Sequence, residues 1–286
     1  MKVDALVRDQ DLWQISALAR LAEQVGLDGL HTNGSFRAAA VAAEHTSRLR
    51  LGVASVRGRP GALGRLAADL QEYSRGRSVL GLGVRSPATI GETLQAVRAG
   101  SPRVAGLRPP PAHPYGVPKV HLPAVRPELA ELAGEAADGL MLGLTTPRYL
   151  HEVTVPAVER GLRRSGRTWA DLEVVAPGLV VTGADPAVRE RSEAAVRAAI
   201  AAYAALPAYR PVFETHGWDP GGHISDSMVT AFAVRGAARE VPELLVSRYG
   251  SVCRRVMLGI PFHKDPGTWA AIVARVHELT SEPVPS

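Results

Sequence analysis

Short apolar runs alternate with helical stretches along the whole chain. Eight of the runs are predicted to be strands, because segments of this length rich in Val, Leu and Ile are typical of buried strands. They are KVDALV (2–7), GLHT (29–32), LRLGVASV (49–56), SVLGLGV (78–84), KVHLPAV (119–125), GLMLGL (139–144), LEVVAPGLVVT (172–182) and CRRVMLGI (253–260). Between them, stretches such as DLWQISALARLAEQVG repeat their apolar residues with the period of an amphipathic helix.

Eight alternations of strand and helix predict an α/β fold, a parallel (β/α)₈ or TIM barrel occupying residues 1–286 as one domain. A doubly wound open sheet is the alternative, although no G-x-G-x-x-G motif follows the first strand to support dinucleotide binding. The proline-rich segment 101–119 is predicted to be a surface crossover. Segment 207–229 is predicted to be an insertion. Because it follows a helix, a peripheral or dimer-contact position is at least as expected as one over the barrel mouth.

Composition limits the classes of function. The 286 residues are 46% hydrophobic, enough for one large core, and the net charge of +5 favours anionic ligands. Aromatic residues make up only 5% and the arginines are dispersed, so nucleic-acid binding is not expected. No apolar run reaches the length of a membrane span, and MKVDALVRDQ lacks the order of a signal peptide. We therefore expect a soluble, cytoplasmic protein with no membrane partner.

Sulfur and imidazole ligands do not form a recognisable metal motif. Cys253 is the single cysteine, which excludes an intrachain disulfide and a Cys-cluster site, and it is expected to pack as a small apolar residue. His216 and His223 stand in the insertion at irregular spacing and are interpreted as surface histidines. No metal site is predicted.

Several segments resemble a known family. RGRPGALGRLAADLQEYSRGRSVLGLGV, YGVPKVHLPAVRPELAELAGEAADGLML, TTPRYLHEVTVPAVERGLRRSGR, LEVVAPGLVVTG and PAYRPVFETHGW are similar, in this order, to the bacterial luciferase-like superfamily. Within it they most resemble the oxidoreductases that depend on the deazaflavin coenzyme F-420. The similarity covers nearly the whole chain and agrees with the barrel predicted from the alternation.

The resemblance implies a homodimer whose barrel binds coenzyme F-420 or FMN at the carboxyl ends of its strands. Such a protein transfers a hydride between the ring and a small organic substrate, with the cofactor supplying the redox chemistry. The resemblance also implies a bulged, non-proline cis peptide within 54–56, behind the ring. The implied cofactor contacts are Thr32, Asn33, Ala54, Ser55, Val56, Arg57, Leu82 and Gly83 for the ring side, and Ala124, Val125 and Arg126 for the phosphate.

The chain departs from the family pattern around this pocket. Gly34 and Ser35 stand where relatives commonly carry an acidic residue, and the loop after strand three is shorter and more basic. The segment after strand four is shortened, so most of the usual cover over the cofactor is missing. Arg126 replaces a small glycine, and it either contacts phosphate or fills the vacated space.

The candidate catalytic groups are His31 and Ser55. His31 could reach the mouth as a proton donor, because imidazole titrates near neutral pH, or could be a packed, hydrogen-bonded core histidine. Ser55 could contact the cofactor or could simply cap backbone in a turn. Two functions stay open: a deazaflavin- or flavin-dependent oxidoreductase, and a non-catalytic or repurposed barrel without a cofactor, acting as a partner subunit or ligand-binding protein.

Overall fold

The computed structural model describes residues 1–7, 11–83, 87–99, 114–183, 185–259 and 262–281. Eight parallel strands close into a barrel in the order β1, β2, β3, β4, β5, β6, β7, β10, which returns to β1. The predicted (β/α)₈ barrel is confirmed. The barrel strands are β1 (Lys2–Val7), β2 (Gly29–Asn33), β3 (Arg50–Val56), β4 (Ser78–Leu82), β5 (Lys119–Ala124), β6 (Gly139–Leu142), β7 (Glu173–Gly178) and β10 (Arg255–Leu258).

Helices surround the barrel and cover the outward faces of the strands. Alternate residues of each strand, such as Val3, Ala5 and Val7 of β1, pack with apolar helix residues in the main core. The helices are α1 (Leu12–Gln24), α2 (Phe36–Glu44), α3 (Pro60–Tyr73), α4 (Pro87–Ala99), α5 (Pro127–Ala136), α6 (Pro147–Tyr149), α7 (Val155–Ser165), α8 (Pro186–Ala204), α9 (Arg210–Glu214), α10 (Asp226–Phe232), α11 (Val241–Tyr249) and α12 (Pro266–Ser281). A π-helical turn, Leu150–Thr154, joins α6 to α7.

The segment predicted as one long seventh strand is divided. Its first part is β7, and its second part, β8 (Val180–Val181), leaves the barrel and pairs in parallel with β9 (Val234–Arg235). An apolar run of eleven residues cannot reveal this break, because both parts are equally suited to a buried strand. The single-strand prediction for 172–182 is therefore wrong.

The segment predicted as an insertion, 207–229, lies within a longer excursion from the barrel. Residues of α11, including Val241 and Leu245, belong to the core that covers the barrel strands. Residues of α8 belong instead to a second apolar cluster, which also contains Val125, Leu144 and Val181 from the loops after β5, β6 and β7. The helix that precedes segment 207–229 is thus itself part of an excursion beginning at β8 and ending at β9. Residues of segment 207–229 share this cluster with residues that follow β5 and β6. A peripheral or dimer-contact role for the segment stays a prediction.

Some predicted segments lie wholly or partly outside the described residues. Of the crossover predicted at 101–119, residues 101–113 fall outside them. Among the helices that the structure describes, none has the length and apolar character needed to span a membrane. Cys253, predicted to pack as an apolar residue, is buried at 2% exposure beside β10, and burial raises the pKa of its thiol to about 12.

Candidate active site at the carboxyl ends of the strands

The interior of the barrel is polar in its lower half. Arg50 of β3 forms an ion pair with Glu173 of β7, on the opposite side of the barrel, so both side chains cross the interior. Arg255 binds Glu173 at 3.2 Å and also pairs with Asp4. We call this group the polar layer, and its six ionisable members come from six strands. They are Asp4, His31, Arg50, His121, Glu173 and Arg255.

The hydrogen bond with Arg50 determines which ring nitrogen of His121 carries the proton. The guanidinium of Arg50 lies 3.1 Å from Nε2 of His121 and can only donate, so Nε2 accepts and the ring proton resides on Nδ1. That Nδ1 is buried and has no hydrogen-bond partner among the described residues. Burial, assisted by the charge of Arg50, lowers the pKa of His121 to about 3, so the ring is neutral at physiological pH.

The carboxylates of the polar layer are ionised. Burial acts to raise the pKa of Asp4, but the hydrogen bond with His31 and the charge of Arg255 outweigh it and hold the pKa below its ordinary value. The same balance, with Arg50 and Arg255 as the opposing cations, lowers the pKa of Glu173. The layer is therefore a set of paired charges that closes the barrel from below.

The upper half of the interior is an apolar space that solvent reaches. Along β1, β6, β7 and β10, the inward residues above the polar layer are partly exposed while their outward neighbours are buried. This alternation means that the exposure comes from inside the barrel and not from its helix-covered surface. We call this space the recess. Its inward residues include the apolar Leu6, Pro123, Met141, Pro177 and Met257 and, at the end of β2, the polar and exposed Asn33.

Small residues widen the recess at its opening. A β-carbon added to Gly259, which continues the inward series of β10, would meet no atom of the described residues within 4 Å. At the end of β6, a β-carbon on Gly143 would lie 2.3 Å from the hydroxyl oxygen of Tyr209, which therefore reaches this edge of the opening. A recess open at the carboxyl ends of parallel strands is where barrels of this kind hold their ligands.

The insertion builds one wall of this opening. Nε2 of His216 lies 2.8 Å from Oγ1 of Thr146, the residue that caps α6 after β6. The ring of His216 stacks on Trp218 with centroids 4.1 Å apart, and burial, followed by the charge of Arg148, lowers its pKa. Sequence reasoning interpreted His216 as a surface residue and did not foresee this wall. The aromatic spacing in PAYRPVFETHGW was the available signal.

The sequence matches a protein-family model, which identifies the family of the chain. The model described as luciferase-like monooxygenase matches residues 3–103 and 91–281. The chain belongs to the luciferase-like monooxygenase family. A relative from Mycobacterium tuberculosis, described only as the uncharacterized protein Rv1360, is 35% identical over 90% of this chain and 92% of its own length. The 5,10-methylenetetrahydromethanopterin reductase of Methanolobus tindarius is 27% identical over 78% of this chain and 82% of its own length.

Solved structures share the fold of this luciferase-like chain. The F420-dependent tetrahydromethanopterin reductase of Methanopyrus kandleri superposes with a TM-score of 0.76 at 17% identity, covering 97% of this chain and 99% of that one. The FMN-bound oxygenating component of 3,6-diketocamphane monooxygenase from Pseudomonas putida gives a TM-score of 0.72 at 13% identity, covering 99% of each chain. At such identities the likeness is one of fold.

The family-derived cofactor contacts divide into two groups in this luciferase-like barrel. Asn33, Ala54, Ser55, Arg57 and Gly83 lie at or near the opening of the recess. Of that group, Ala54 and Gly83 are buried whereas Asn33, Ser55 and Arg57 are exposed. Thr32, Val56, Leu82 and Val125 are also buried, and the last three pack into the apolar clusters. Backbone hydrogen bonds hold the strand ends together, from Gly34 N to Ala54 O and from Gly83 N to Val56 O, each at 2.8 Å. Whether these residues bind a cofactor stays a prediction.

The turn after β2 is stabilised by its own hydroxyl groups. Oγ1 of Thr32 donates to the carbonyl oxygen of Ser35 at 2.9 Å, and the side chain of Ser35 accepts from Ala38 N at 3.1 Å to cap α2. Gly34 has a φ of 71°, which glycine adopts without strain. The positions where family relatives carry an acidic residue therefore serve here to turn the chain into α2.

His31 does not reach the opening. Its ring is 2% exposed, and Nε2 lies 2.8 Å from Oδ2 of Asp4 within the polar layer. On the other side, Nδ1 would lie 1.9 Å from a β-carbon added to Gly52, so the ring rests against that glycine. This is the packed, hydrogen-bonded arrangement that was the alternative to a proton donor. A catalytic role for His31 stays a prediction.

The expected bulge is present at the end of β3, without the cis peptide. The register with β4 shifts between Val53 and Val56, and Ser55 is exposed with a left-handed φ of 58°. All peptide bonds of the described residues are trans. The bulge therefore turns Ser55 toward solvent through an unusual backbone conformation, of a kind that clusters at functional sites.

In the region predicted to bind phosphate, Arg126 already forms an ion pair within the chain. Ala124 ends β5, and the carbonyl oxygen of Val125 accepts a hydrogen bond from the hydroxyl of Tyr149 at 3.1 Å. Arg126 is the N-cap residue of α5, and its guanidinium lies 3.4 Å from the carboxylate of Glu128. Nε of Arg126 is buried and has no partner among the described residues. Glu128 already supplies the negative charge that the helix start favours.

Proposed function

We propose that this chain is an oxidoreductase that binds coenzyme F-420 or FMN in the recess and transfers a hydride to or from a small organic substrate. The observation that carries the proposal is the solvent-reached, apolar recess at the carboxyl ends of the strands, in a member of the luciferase-like family. Two proteins noted above support it, because the Methanopyrus enzyme is F420-dependent and the Pseudomonas structure contains FMN.

The residues around the recess are suited to a planar ring. Leu6, Met141 and Met257 offer apolar side chains, and the open side of Gly259 leaves space above them. Met is adaptable and makes favourable contacts between its sulfur and aromatic rings. A bound flavin or deazaflavin would supply the hydride chemistry, while the chain would orient the ring and limit the access of water.

The experiment is a titration of the purified protein with coenzyme F-420 and, separately, with FMN, followed by ligand fluorescence and melting temperature. A ligand that binds only the native state adds roughly 2.7 kcal/mol of stability at a hundredfold excess over its Kd. The blocking variant is Gly259→Leu, which places a side chain in the open space. Its matched control is Gly91→Leu on α4, where an added β-carbon also meets nothing.

We expect saturable binding of one cofactor to the wild type and to Gly91→Leu, with at least tenfold weaker binding to Gly259→Leu. Equal binding to both variants would move the cofactor out of the recess. If neither cofactor binds at millimolar concentration, the oxidoreductase proposal is wrong. The second candidate, a ligand-binding barrel without a cofactor, would then be favoured.

One observation supports that second candidate. Among the described residues, no Asp, Glu or His side chain lines the recess, since its inward side chains belong to apolar residues and to Asn33. A general acid or base would have to come from the bound molecule or from the rim. We also propose that the chain forms a homodimer in solution, which light scattering would test.

A further inference from the structure

Arg57 lies across the rim of the recess, just after the bulge of β3. A β-carbon added to Gly83, the residue that follows β4, would lie 3.0 Å from Cγ and 3.1 Å from Nε of Arg57. Glycine at this position therefore provides the space in which the arginine side chain rests. The aliphatic part of Arg57 is held against the end of β4. Arg57 therefore has less conformational entropy to lose on binding a ligand than an arginine that moves freely in solvent.

The charge of Arg57 has no counter-ion in the part of the chain that the structure describes. Some other exposed arginines do, as in the pair of Arg126 with Glu128 and that of Arg148 with Glu152. What distinguishes Arg57 from other unpaired arginines such as Arg65 is its place beside Gly83 at the rim. Arg57 is exposed and makes no such pair. Next to it begins an apolar recess, where less water is available to screen a charge and an ion pair is stronger than in bulk solvent.

We propose that Arg57 binds the carboxylate of an organic-acid substrate whose apolar part enters the recess. A guanidinium matches a carboxylate with two parallel N–H···O bonds, which fixes the orientation of the acid as well as its position. The walls formed by Leu6, Pro177 and Met257 accept a hydrocarbon or aromatic body and offer it no competing charge. The inference rests on the proposed function in calling this molecule a substrate, whereas the binding itself requires no cofactor.

A second source of the same chemistry is the phosphate of the cofactor. FMN and riboflavin separate the two sources, because they share the ring and differ in the phosphate. The acid is probed with decanoate, against decanol as the neutral molecule of equal chain length. All four ligands are titrated into the wild type, into Arg57→Gln and into Arg65→Gln, which removes an exposed arginine from the middle of α3 and serves as the matched control.

We expect decanoate to bind the wild type and Arg65→Gln equally, and Arg57→Gln about 10- to 100-fold more weakly, the loss typical of a hydrogen bond to a charged group. Decanol binding should be the same in all three proteins. Equal decanoate binding to Arg57→Gln and Arg65→Gln would overturn the inference, as would the absence of decanoate binding to the wild type.

The cofactor titrations separate this inference from the proposed function. If Arg57→Gln weakens FMN and leaves riboflavin unchanged, Arg57 holds the cofactor phosphate and the carboxylate assignment is wrong. If neither F-420 nor FMN binds while decanoate binding depends on Arg57, the oxidoreductase proposal fails and the anion site stands. Because Arg57 is exposed, its replacement should leave the melting temperature of the unliganded protein unchanged within about 2 °C.

Discussion

The neutral state of His121 makes the stability of the barrel depend on pH in a defined direction. In the folded protein, burial and the charge of Arg50 hold the pKa of His121 at about 3, whereas an unfolded chain restores a value near 6.5. Below pH 6.5, His121 is protonated in the unfolded chain but stays neutral in the folded protein. The free energy of unfolding must therefore fall as the pH falls through this window.

The size of the effect follows from the same two values. At pH 5 the solution is about 1.5 units below the unfolded pKa and still well above the folded one, which corresponds to a loss of about 2 kcal/mol relative to neutral pH. This loss depends little on the folded value as long as that value stays below 5. Asp4 and Glu173, whose pKa values are lowered, contribute stability that is lost only as the pH falls below about 4, where unfolded carboxylates take up protons.

The variant is His121→Gln, whose amide oxygen can still accept a hydrogen bond from Arg50 but does not titrate. Urea unfolding followed by circular dichroism at pH 7 and pH 5 gives the two free energies for each protein. We expect the wild type to lose about 2 kcal/mol more than His121→Gln between these values. The control is His223→Gln, at an exposed histidine of the insertion, which should behave as the wild type does. An unchanged pH dependence in His121→Gln would refute the assignment of a buried, neutral ring.

Two further substitutions test other parts of the barrel. Arg255→Met leaves the buried carboxylate of Asp4 without its cation and should lower the free energy of unfolding by about 3–5 kcal/mol. The control is Arg275→Met, which removes a half-exposed ion pair and should lower the free energy of unfolding by less than about 1 kcal/mol. Similar losses for both variants would contradict the buried layer. Ser55→Val should lower the free energy of unfolding by about 1–2 kcal/mol because a β-branched residue is strained at a φ of 58°, whereas Ser55→Gly should leave it unchanged. Thermal unfolding measures both variants. A valine that does not lower the stability would argue against the left-handed bulge.

The barrel could be predicted from the sequence because each strand carries its own apolar run. The ends of β2, β3 and β5 fall within a residue or so of the predicted ends, since turn-forming glycines, serines and prolines follow them. The identity of the seventh barrel helix could not be predicted. Both α8 and α11 carry apolar residues at helical spacing, and only tertiary packing reveals that α8 faces the loops after β5 to β7 while α11 faces the strands.

The polar layer was missed for a similar reason. Asp4 and Arg255 are 251 residues apart, and no local pattern relates them. A signal was nonetheless present, because Arg50, Glu173 and Arg255 each stand first in an apolar strand, on the face that alternation directs inward. Charges of both signs at the lower ends of three strands predict cross-barrel pairing once the strands are known to close into a barrel.

The lower half of the barrel interior is charged, and the upper half is apolar and open. The residues that stabilise the barrel are therefore different from those that can contact a ligand. Below the recess, Arg50 and Glu173 join strands on opposite sides of the barrel, and Asp4 and Arg255 extend this network to neighbouring strands, so replacements around the opening do not break these contacts. The absence of an acidic side chain at Gly34 and Ser35 is thus compatible with a stable fold, because Ser35 caps α2. The same separation leaves the choice of ligand to the rim. There the bulge at Ser55, the cation of Arg57 and the wall containing His216 surround the opening, and none of the described inward residues of the recess is an Asp, Glu or His. If the recess and Arg57 bind ligands as proposed, the site selects by shape and by one charge, and it leaves the reactive chemistry to the molecules that it binds.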